Sequence, residues 1–391
     1  MTLEWVGSIP GKREYRRFVG DYVLNQNDII AQEPFHDRIA FGGWSIDLHP
    51  PQGMYAEASG SKHMHADGNY HIPYRSLYTA NVGNLLFDGR NISASHVAFG
   101  TTRVMATCAV IGEAAGTAAS LCAAKGVSPR EIYRSHLQEL QQTLLRQDAS
   151  VIGLRHEDER DLARLAQVSA SSFRSSISVD KPHEAYRLER DAAILFPVDP
   201  AVEPLTGILA FEKGAVPNAS ANLEEHDENQ LVVAWSMKAA VRQPFCFKVK
   251  GRTEAYAPEK AVGGYKRPFG GPNMWTSEPI GPEREAWLQL TWEHEISMKE
   301  IMLTWNDDVN EDLINLHHHR TSFDIIPELV KSYRIEARVQ RQWRVATSVG
   351  DNRSRSNRIR MKEPVLADAL RIVIEETNGA PCAELVEIRV Y

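Results

Sequence analysis

The 391-residue sequence is poor in cysteine. Its four residues, Cys108, Cys122, Cys246 and Cys382, stand far apart, and none forms a C-x-x-C pair. That spacing suggests neither a disulfide framework nor a zinc knuckle, and free thiols fit a reducing compartment. Basic charge is in deficit: 44 Lys and Arg against 51 Asp and Glu leave a formal charge of -7. This argues against a general nucleic-acid binder. Met1-Thr2-Leu3-Glu4-Trp5 shows no basic segment followed by an apolar one, so no signal peptide is expected and the expected location is cytoplasmic. Long apolar runs are scarce. The most apolar stretch, residues 104–124, carries Glu113 and two glycines and is rich in alanine. It predicts a buried helix, and no membrane span is expected. No repeat of fixed period and no low-complexity tract is present.

What is present reads as two materials. The length predicts two or three domains. Residues 1–150 mix glycine-rich turns with two helical patterns. In the first, which the spacing starts near Thr101, Ala106, Ala109, Gly112, Gly116 and Ala119 recur at helical spacing. That face lets another element or a flat ligand approach the backbone closely. The second is announced by Ser128-Pro129-Arg130-Glu131, a capping-box pattern with proline in the first turn, and continues in the apolar stripe Ile132, Leu137, Leu140 and Leu144. The charged run 155–164 reads as a solvated helix face or linker. From Ala166 the period changes to two. Leu288, Leu290 and Trp292 alternate with polar residues, as do Val386, Ile388 and Val390; Leu370, Ile372 and Ile374 keep the same spacing. Short strands at this density predict an all-β sandwich or jelly roll.

Three stretches of the first part resemble the FAD-dependent oxidoreductase family often found in carbohydrate-degrading bacteria. The first is Gly11-Lys12-Arg13-Glu14-Tyr15-Arg16-Arg17-Phe18-Val19-Gly20-Asp21-Tyr22. The second is Phe41-Gly42-Gly43-Trp44-Ser45-Ile46-Asp47-Leu48-His49-Pro50-Pro51. The third runs from Tyr70-His71-Ile72-Pro73-Tyr74-Arg75 through Asn84-Leu85-Leu86-Phe87-Asp88-Gly89-Arg90-Asn91 to Gly100-Thr101-Thr102-Arg103 and Gly112-Glu113-Ala114-Ala115-Gly116. The resemblance implies the carboxy-terminal part of a two-part FAD-binding fold, with FAD as cofactor. It implies cofactor contacts at Gly89, Arg90, Asn91, Gly100, Thr101, Thr102 and Arg103. Residues 84–91 look like the strand ending beside the ribityl chain and diphosphate, with Leu85, Leu86 and Phe87 as a short buried strand. The helix expected from Thr101 would point its positive end at the flavin. One departure is plain: the G-x-G-x-x-G loop of the family's amino-terminal half is absent. Gly42-Gly43, Gly263-Gly264 and Gly270-Gly271 have neither the spacing nor a following helix. Three accounts stay open: a split enzyme with a dinucleotide-binding partner subunit, a truncated product, or a repurposed binding protein.

The tail resembles a galactose-binding or discoidin-like β-sandwich, carried by Val168-Ser169-Ala170-Ser171-Ser172, Asn273-Met274-Trp275-Thr276-Ser277 and Trp287-Leu288-Gln289-Leu290. The expected fold class is therefore α+β and multidomain. A partial FAD-binding oxidoreductase domain at 1–150 and a linker at 151–164 precede a sandwich at 165–174 and 256–391, with a small β-domain inserted at 175–255.

Oxidation of a hydroxyl compound needs a base, and histidine is the usual one near neutral pH. His96 is the first candidate, His49 and His71 the next. Arg75 and Arg103 are candidates for holding an anionic or polyhydroxyl substrate, or for pairing with Asp47 or Asp88. Arg13, Arg16 and Arg17 form a basic cluster. His63 and His65, in residues 60–68, read as a mobile loop over the substrate. Adjacent histidines rarely ligate one ion, so His317-His318-His319 does not predict a metal site. Two functions remain: an oxidoreductase component acting on a sugar or other hydroxyl compound, or a non-catalytic carbohydrate-binding or interaction protein.

Overall fold

The change of hydrophobic period coincides with a division of the structure into two units, Met1–Ile152 and Gly153–Tyr391. This structure, a computed structural model, describes residues 16–57, 60–64, 69–174, 254, 256–267, 273–281, 284–307 and 324–391, with short strands between 177 and 249. Arg13, His65 and His317 to His319 lie outside the described residues.

Unit 1 is built from helices and two small antiparallel ladders. Helix α1 (Gln26–Ala31) opens on a capping box: Asn25 Oδ1 accepts from the Asn27 N–H (2.9 Å), and Asp28 accepts from the Asn25 N–H (2.9 Å). Strand β1 (Arg38–Gly42) pairs with β4 (Tyr70–Pro73), and β2 (Ile46–Leu48) with β3 (Lys62–Met64). Helices α2 (His96–Thr102), α3 (Met105–Lys125), α4 (Pro129–Ser135) and α5 (Leu137–Arg146) follow. Ser128 caps α4 as its sequence predicts, although the Glu131 carboxylate accepts from Ser135 rather than reaching back. Ile132, Leu140 and Leu144 are fully buried, so the stripe faces the core.

Two local expectations are corrected. The long helix does not start at Thr101. Thr101 and Thr102 end α2, Val104 leaves helical geometry (φ -70, ψ 147), and α3 starts at Met105. Residues 85–87 form no strand either. They make a single bridge, Tyr78↔Leu86, and Leu85 is 41% exposed. The pairing is one bridge long, closed by two backbone bonds to Leu77 and Thr79, and extends no further on either side.

Unit 2 holds β5 (Gln167–Ala170), β6 (Ile177–Val179), β7 (Ala193–Pro197), β8 (Ala210–Phe211), β9 (Ala219–Glu225), β10 (Gln230–Met237), β11 (Phe247–Val249), β12 (Trp275–Thr276), β13 (Ala286–Trp305), β14 (Val330–Val339), β15 (Gln342–Val349), β16 (Ser356–Thr377) and β17 (Glu384–Val390). Within 175–255 the described strands make two three-stranded sheets, β7-β10-β9 and β6-β11-β8. The remaining strands form a sandwich from one continuous sheet. The long strands β13 and β16 serve both layers. Their Ala286–Thr291 and Ala369–Ile374 halves pair with each other and with β5 and β14. Further along, β13 pairs with β17 and with the first half of β16. Alternation then sends Leu288, Leu290, Ile372 and Ile335 inward from one layer and Ile301, Leu303, Trp305 and Ile388 from the other, into one core.

Most of the charged run 155–164 faces solvent, but His156 and Asp161 within it are buried. Asp161 is 2% exposed; its Oδ1 accepts from the N–H groups of Val390 and Ala163 (3.0 Å each), and its Oδ2 pairs with Arg389 (3.2 Å). Glu387 in turn pairs with both Arg389 and Lys266. Burial pushes the Asp161 carboxyl up. Burial also acts upward on Glu387, but Lys266 and Arg389 outweigh it and hold that carboxyl low. Beside them burial, followed by Arg389, pushes the His156 imidazole down to about 3. Two cations and two carboxylates thus balance inside the unit and fasten its first turn to its last strand. Removing one partner leaves an uncompensated buried charge, so Asp161→Ala is expected to destabilise unit 2 by about 3–5 kcal/mol in urea unfolding followed by tryptophan fluorescence. The exposed Arg160→Ala control leaves the transition where it is. Equal transitions for both variants would mean the cluster fastens nothing.

Candidate functional site

The site in unit 1 starts from a place where a side chain would not fit. Helix α2 lies so close to β2 that a Cβ on Gly100 would stand 2.9 Å from the Asp47 carbonyl oxygen and 3.1 Å from its nitrogen. Glycine alone permits that approach. The next residue locks it: Thr101 donates to the Trp44 carbonyl (2.6 Å) and accepts from the buried Tyr70 hydroxyl (3.0 Å). Three residues on, where α2 ends, Arg103 Nη2 donates to the Asp47 carbonyl (3.0 Å) and to its carboxylate Oδ2 (3.1 Å).

Asp47 is therefore a hub. His49 Nε2 lies 3.1 Å from its Oδ2, and His63 Nε2 lies 3.7 Å from its Oδ1. The ladder of β2 and β3 sets Asp47 opposite His63. His49 Nδ1 meets the Gly60 carbonyl at 2.8 Å, while Ser45 Oγ and Ser61 Oγ meet the two ring nitrogens of His63 at 2.9 Å and 3.1 Å. Asp47 Oδ1 is buried with no hydrogen-bond partner, an arrangement that asks for an explanation.

On its other side Arg103 lines a cavity of about 350 Å³ with Arg90, Met105 and Cys108. Gly89, which precedes Arg90, has φ +57, a left-handed turn that favours glycine. Helix α3 begins at this cavity with no side-chain cap, and its first intrahelical bond runs from Cys108 N–H to the Val104 carbonyl. The positive end of a 21-residue helix and two guanidinium side chains thus meet at one opening. Burial pushes the Cys108 thiol up, against a smaller pull from Arg90, so the sulfur there is a neutral thiol. Met105 in the cavity lining is 90% exposed; Phe18 and Leu85 are further exposed apolar side chains of unit 1. Ala106, Ala109, Gly116 and Ala119, expected against a packing partner, face outward, and nothing lies within 4 Å of a Cβ placed on Gly116. By length and composition α3 is the one helix among the described residues long and apolar enough to cross a membrane, and 33% of that stretch is buried.

Other candidates fall elsewhere. His71 is buried in β4, and burial, with Arg38 adding, pushes its imidazole down to about 4; it is a neutral core side chain rather than a base. Arg75 grips the fully buried Asp37 through Nε (2.9 Å) and Nη2 (3.0 Å) and lies over the rings of Tyr22 and Tyr133. His96 opens α2 on its exposed side, apart from the contacts of Asp47 described above. Asn91 is exposed, and its carbonyl accepts from the Phe18 N–H. Arg17 lies over Phe99. Among the described residues no group of three or more His, Cys, Asp or Glu is arranged to hold a metal ion. Sequence reasoning missed the roles of Ser45, Ser61 and Asp47 as a connected set. The available signal was Asp47-x-His49 beside the alternating Lys62-His63-Met64, two three-residue strands too short to register by period.

Residues 1–144 match the family described as FAD dependent oxidoreductase. No curated protein matches the chain. Among solved structures, the chain is similar to the family 32 carbohydrate-binding module from Streptococcus pneumoniae EndoD, at 12% identity, 31% of this chain, 75% of that chain and a TM-score of 0.24. It is also similar to the chitosan-binding module 1 of a Paenibacillus sp. IK-5 chitosanase/glucanase (14%, 30%, 75%, TM-score 0.23) and to the family 32 module of C. perfringens NanJ in complex with galactose (15%, 30%, 74%, TM-score 0.22). At these scores the sandwich has to be argued from its own strand pairing.

Two glycines separate packing from open space. Gly100→Ala is expected to destabilise unit 1 by about 1–3 kcal/mol through overpacking, and to part α2 from β2. Gly116→Ala is expected to be neutral or to stabilise by up to about 1 kcal/mol, because alanine is the better helix former. Thermal unfolding checks both, and the reverse order would contradict the packing described.

Proposed function

We propose that unit 1 is the flavin-facing side of an FAD-dependent oxidoreductase that acts on a sugar or other hydroxyl compound, with the dinucleotide-binding half supplied by a partner chain. The single observation that carries the reading is the convergence of Arg90, Arg103 and the uncapped start of α3 on one cavity beside the left-handed Gly89 turn. These groups suit the electron-rich carbonyl edge of an isoalloxazine: N–H donors and cations face it, and Gly89 lets backbone come near. When bound, the flavin supplies two-electron acceptance. The protein's own part is to hold that edge with Arg90, Arg103 and the first N–H groups of α3, and to bring Asp47 and its histidines to the far side of Arg103. At about 350 Å³ the cavity is at the low end of ligand pockets, which run roughly 300–1,000 Å³. It suits the ring better than a whole dinucleotide, in keeping with the missing G-x-G-x-x-G loop. The exposed Phe18, Leu85 and Met105 and the small-residue face of α3 would then be covered by the other half.

A second reading concerns unit 2. On the outward side of the sheet, Trp287 and Trp343 flank the Arg371 guanidinium at 4.7 Å and 4.2 Å, with Gln289 bonded to the same arginine at 2.8 Å. Half-buried indoles beside polar hydrogen-bonding groups suit the apolar face and hydroxyls of a sugar ring.

One preparation tests both. Titrated with FAD and with riboflavin, the chain is expected to quench flavin fluorescence with similar affinity for the two, because only the ring is held, and Arg103→Gln weakens both. Failure to perturb either flavin, alone or with a dinucleotide-binding partner present, overturns the oxidoreductase reading. A tryptophan signal on adding galactose or chitotriose, lost in Trp343→Ala, supports the second reading independently, and no signal removes it.

A further inference from the structure

In unit 2 a histidine is buried where every carboxylate around it is already engaged. We propose that residues 155–163 form an acid-released strap: a proton on His156 unbalances the buried charges of unit 2 and lifts this segment off β17 while the sandwich stays folded. Only unit 2 takes part, whatever unit 1 does.

The strap is held mainly by polar contacts. At its start Arg155 Nε and the His156 N–H donate to the carbonyls of Gly263 and Gly264 (2.9 Å each). In its middle Asp161 accepts from the Val390 N–H (3.0 Å) and pairs with Arg389 (3.2 Å). Near its end Trp292 Nε1 donates to the Leu162 carbonyl (2.8 Å). Its apolar share is small: Ala163 enters the core and Leu162 packs on it partly buried. The core itself rests on larger side chains of other strands, such as Leu288, Trp305, Tyr333 and Ile372. Unit 2 begins at Gly153, so release of the strap frees the chain that leads into the sandwich.

His156 sits among these contacts, 2% exposed, and its Nδ1 is buried with no hydrogen-bond partner. The charged groups that face it are Arg389 and Glu387 from β17, Lys266 from the turn after Gly264, and Asp158 from the strap itself. Glu387 is taken by Lys266 and Arg389, Asp161 by Arg389, and Asp158 by Arg160 (3.0 Å). While the imidazole is neutral, Lys266 and Arg389 balance Asp161 and Glu387. One proton on it gives the cluster a surplus positive charge and makes Nδ1 a buried donor with nothing to accept from it.

Burial, followed by Arg389, holds His156 at about 3 in place of its ordinary 6.5. The closed strap therefore resists the proton and the open strap accepts it. Closure is fully favoured above pH 6.5 and loses about tenfold per unit as the pH falls from there toward 3. Asp161, raised by burial, titrates in the opposite sense. Glu387, held low, adds to the loss only below its ordinary 4.5. Among the described residues of unit 2 no other histidine is buried.

Amide hydrogen exchange on the full chain, with times scaled to the intrinsic rate at each pH, separates strap from sandwich. Between pH 7 and pH 5 the opening constant of peptides within 155–163 is expected to rise about 25-fold. Peptides covering 288–290 and 370–374 are expected to keep their protection. In His156→Gln, whose amide does not titrate, the rise is expected to disappear. Should that variant fail to fold, the unmodified chain decides by itself, because the strap has to open ahead of the sandwich. Strap protection that is the same at both pH values overturns the proposal. So does loosening of strap and sandwich together, or an equal rise in His156→Gln.

Discussion

Everything at the candidate site hangs on the contact between Gly100 and the backbone of Asp47. The approach leaves no room for a Cβ, and it sets the end of α2 so that Arg103 reaches both the Asp47 carbonyl and its carboxylate. Arg103 faces the cavity as well. One close packing of helix on strand thus connects a hairpin that carries two histidines to an opening that carries two guanidinium groups and a helix start. A single methyl group at residue 100 acts on all of these together, although it touches none of the polar groups.

Buried charge is handled alike in both units, and in each case it secures the frame rather than the chemistry. Asp37 takes a bidentate Arg75 under two tyrosine rings in unit 1. Asp161, Glu387, Arg389 and Lys266 balance one another inside unit 2. Such pairs are costly to break and add little when whole. Glu387 Oε2 and Asp47 Oδ1 are both buried without a hydrogen-bond donor, but Glu387 lies between Lys266 and Arg389 inside the frame. Asp47 meets Arg103 instead, and Arg103 lines the cavity.

The sequence made the larger divisions legible and the site only in part. Period-two alternation from Leu288 to Val390 marked the sandwich, because a sheet with one buried face imprints its pleat on the chain. It did not show that β13 and β16 serve both layers, since the inward positions of β13 change from even (Leu288, Leu290) to odd (Ile301, Leu303, Trp305) across irregular pairing, which reads as two separate strands. The break at Val104 escaped because Thr101 to Ala106 contains no proline or glycine that would signal it. Within the run 155–164 the burial of Asp161 was not legible, because charge suggests water unless a partner is known, and Arg389 lies 228 residues away. Gly89 and Arg103 were legible through resemblance. His63 was not, because what brings it to Asp47 is the register of two three-residue strands. Arg75 and His71 misled for the opposite reason: reactive residue types were taken up by the core.

The most direct measurement of the central claim is amide hydrogen exchange across unit 1 with and without riboflavin. If the ring seats at the start of α3 between Arg90 and Arg103, exchange at Met105, Ala106 and Thr107 slows on addition, together with the Gly89 turn, while unit 2 is unchanged. Unaltered exchange at these residues, under conditions where flavin binding is established by its own fluorescence, would place the flavin elsewhere and contradict the account.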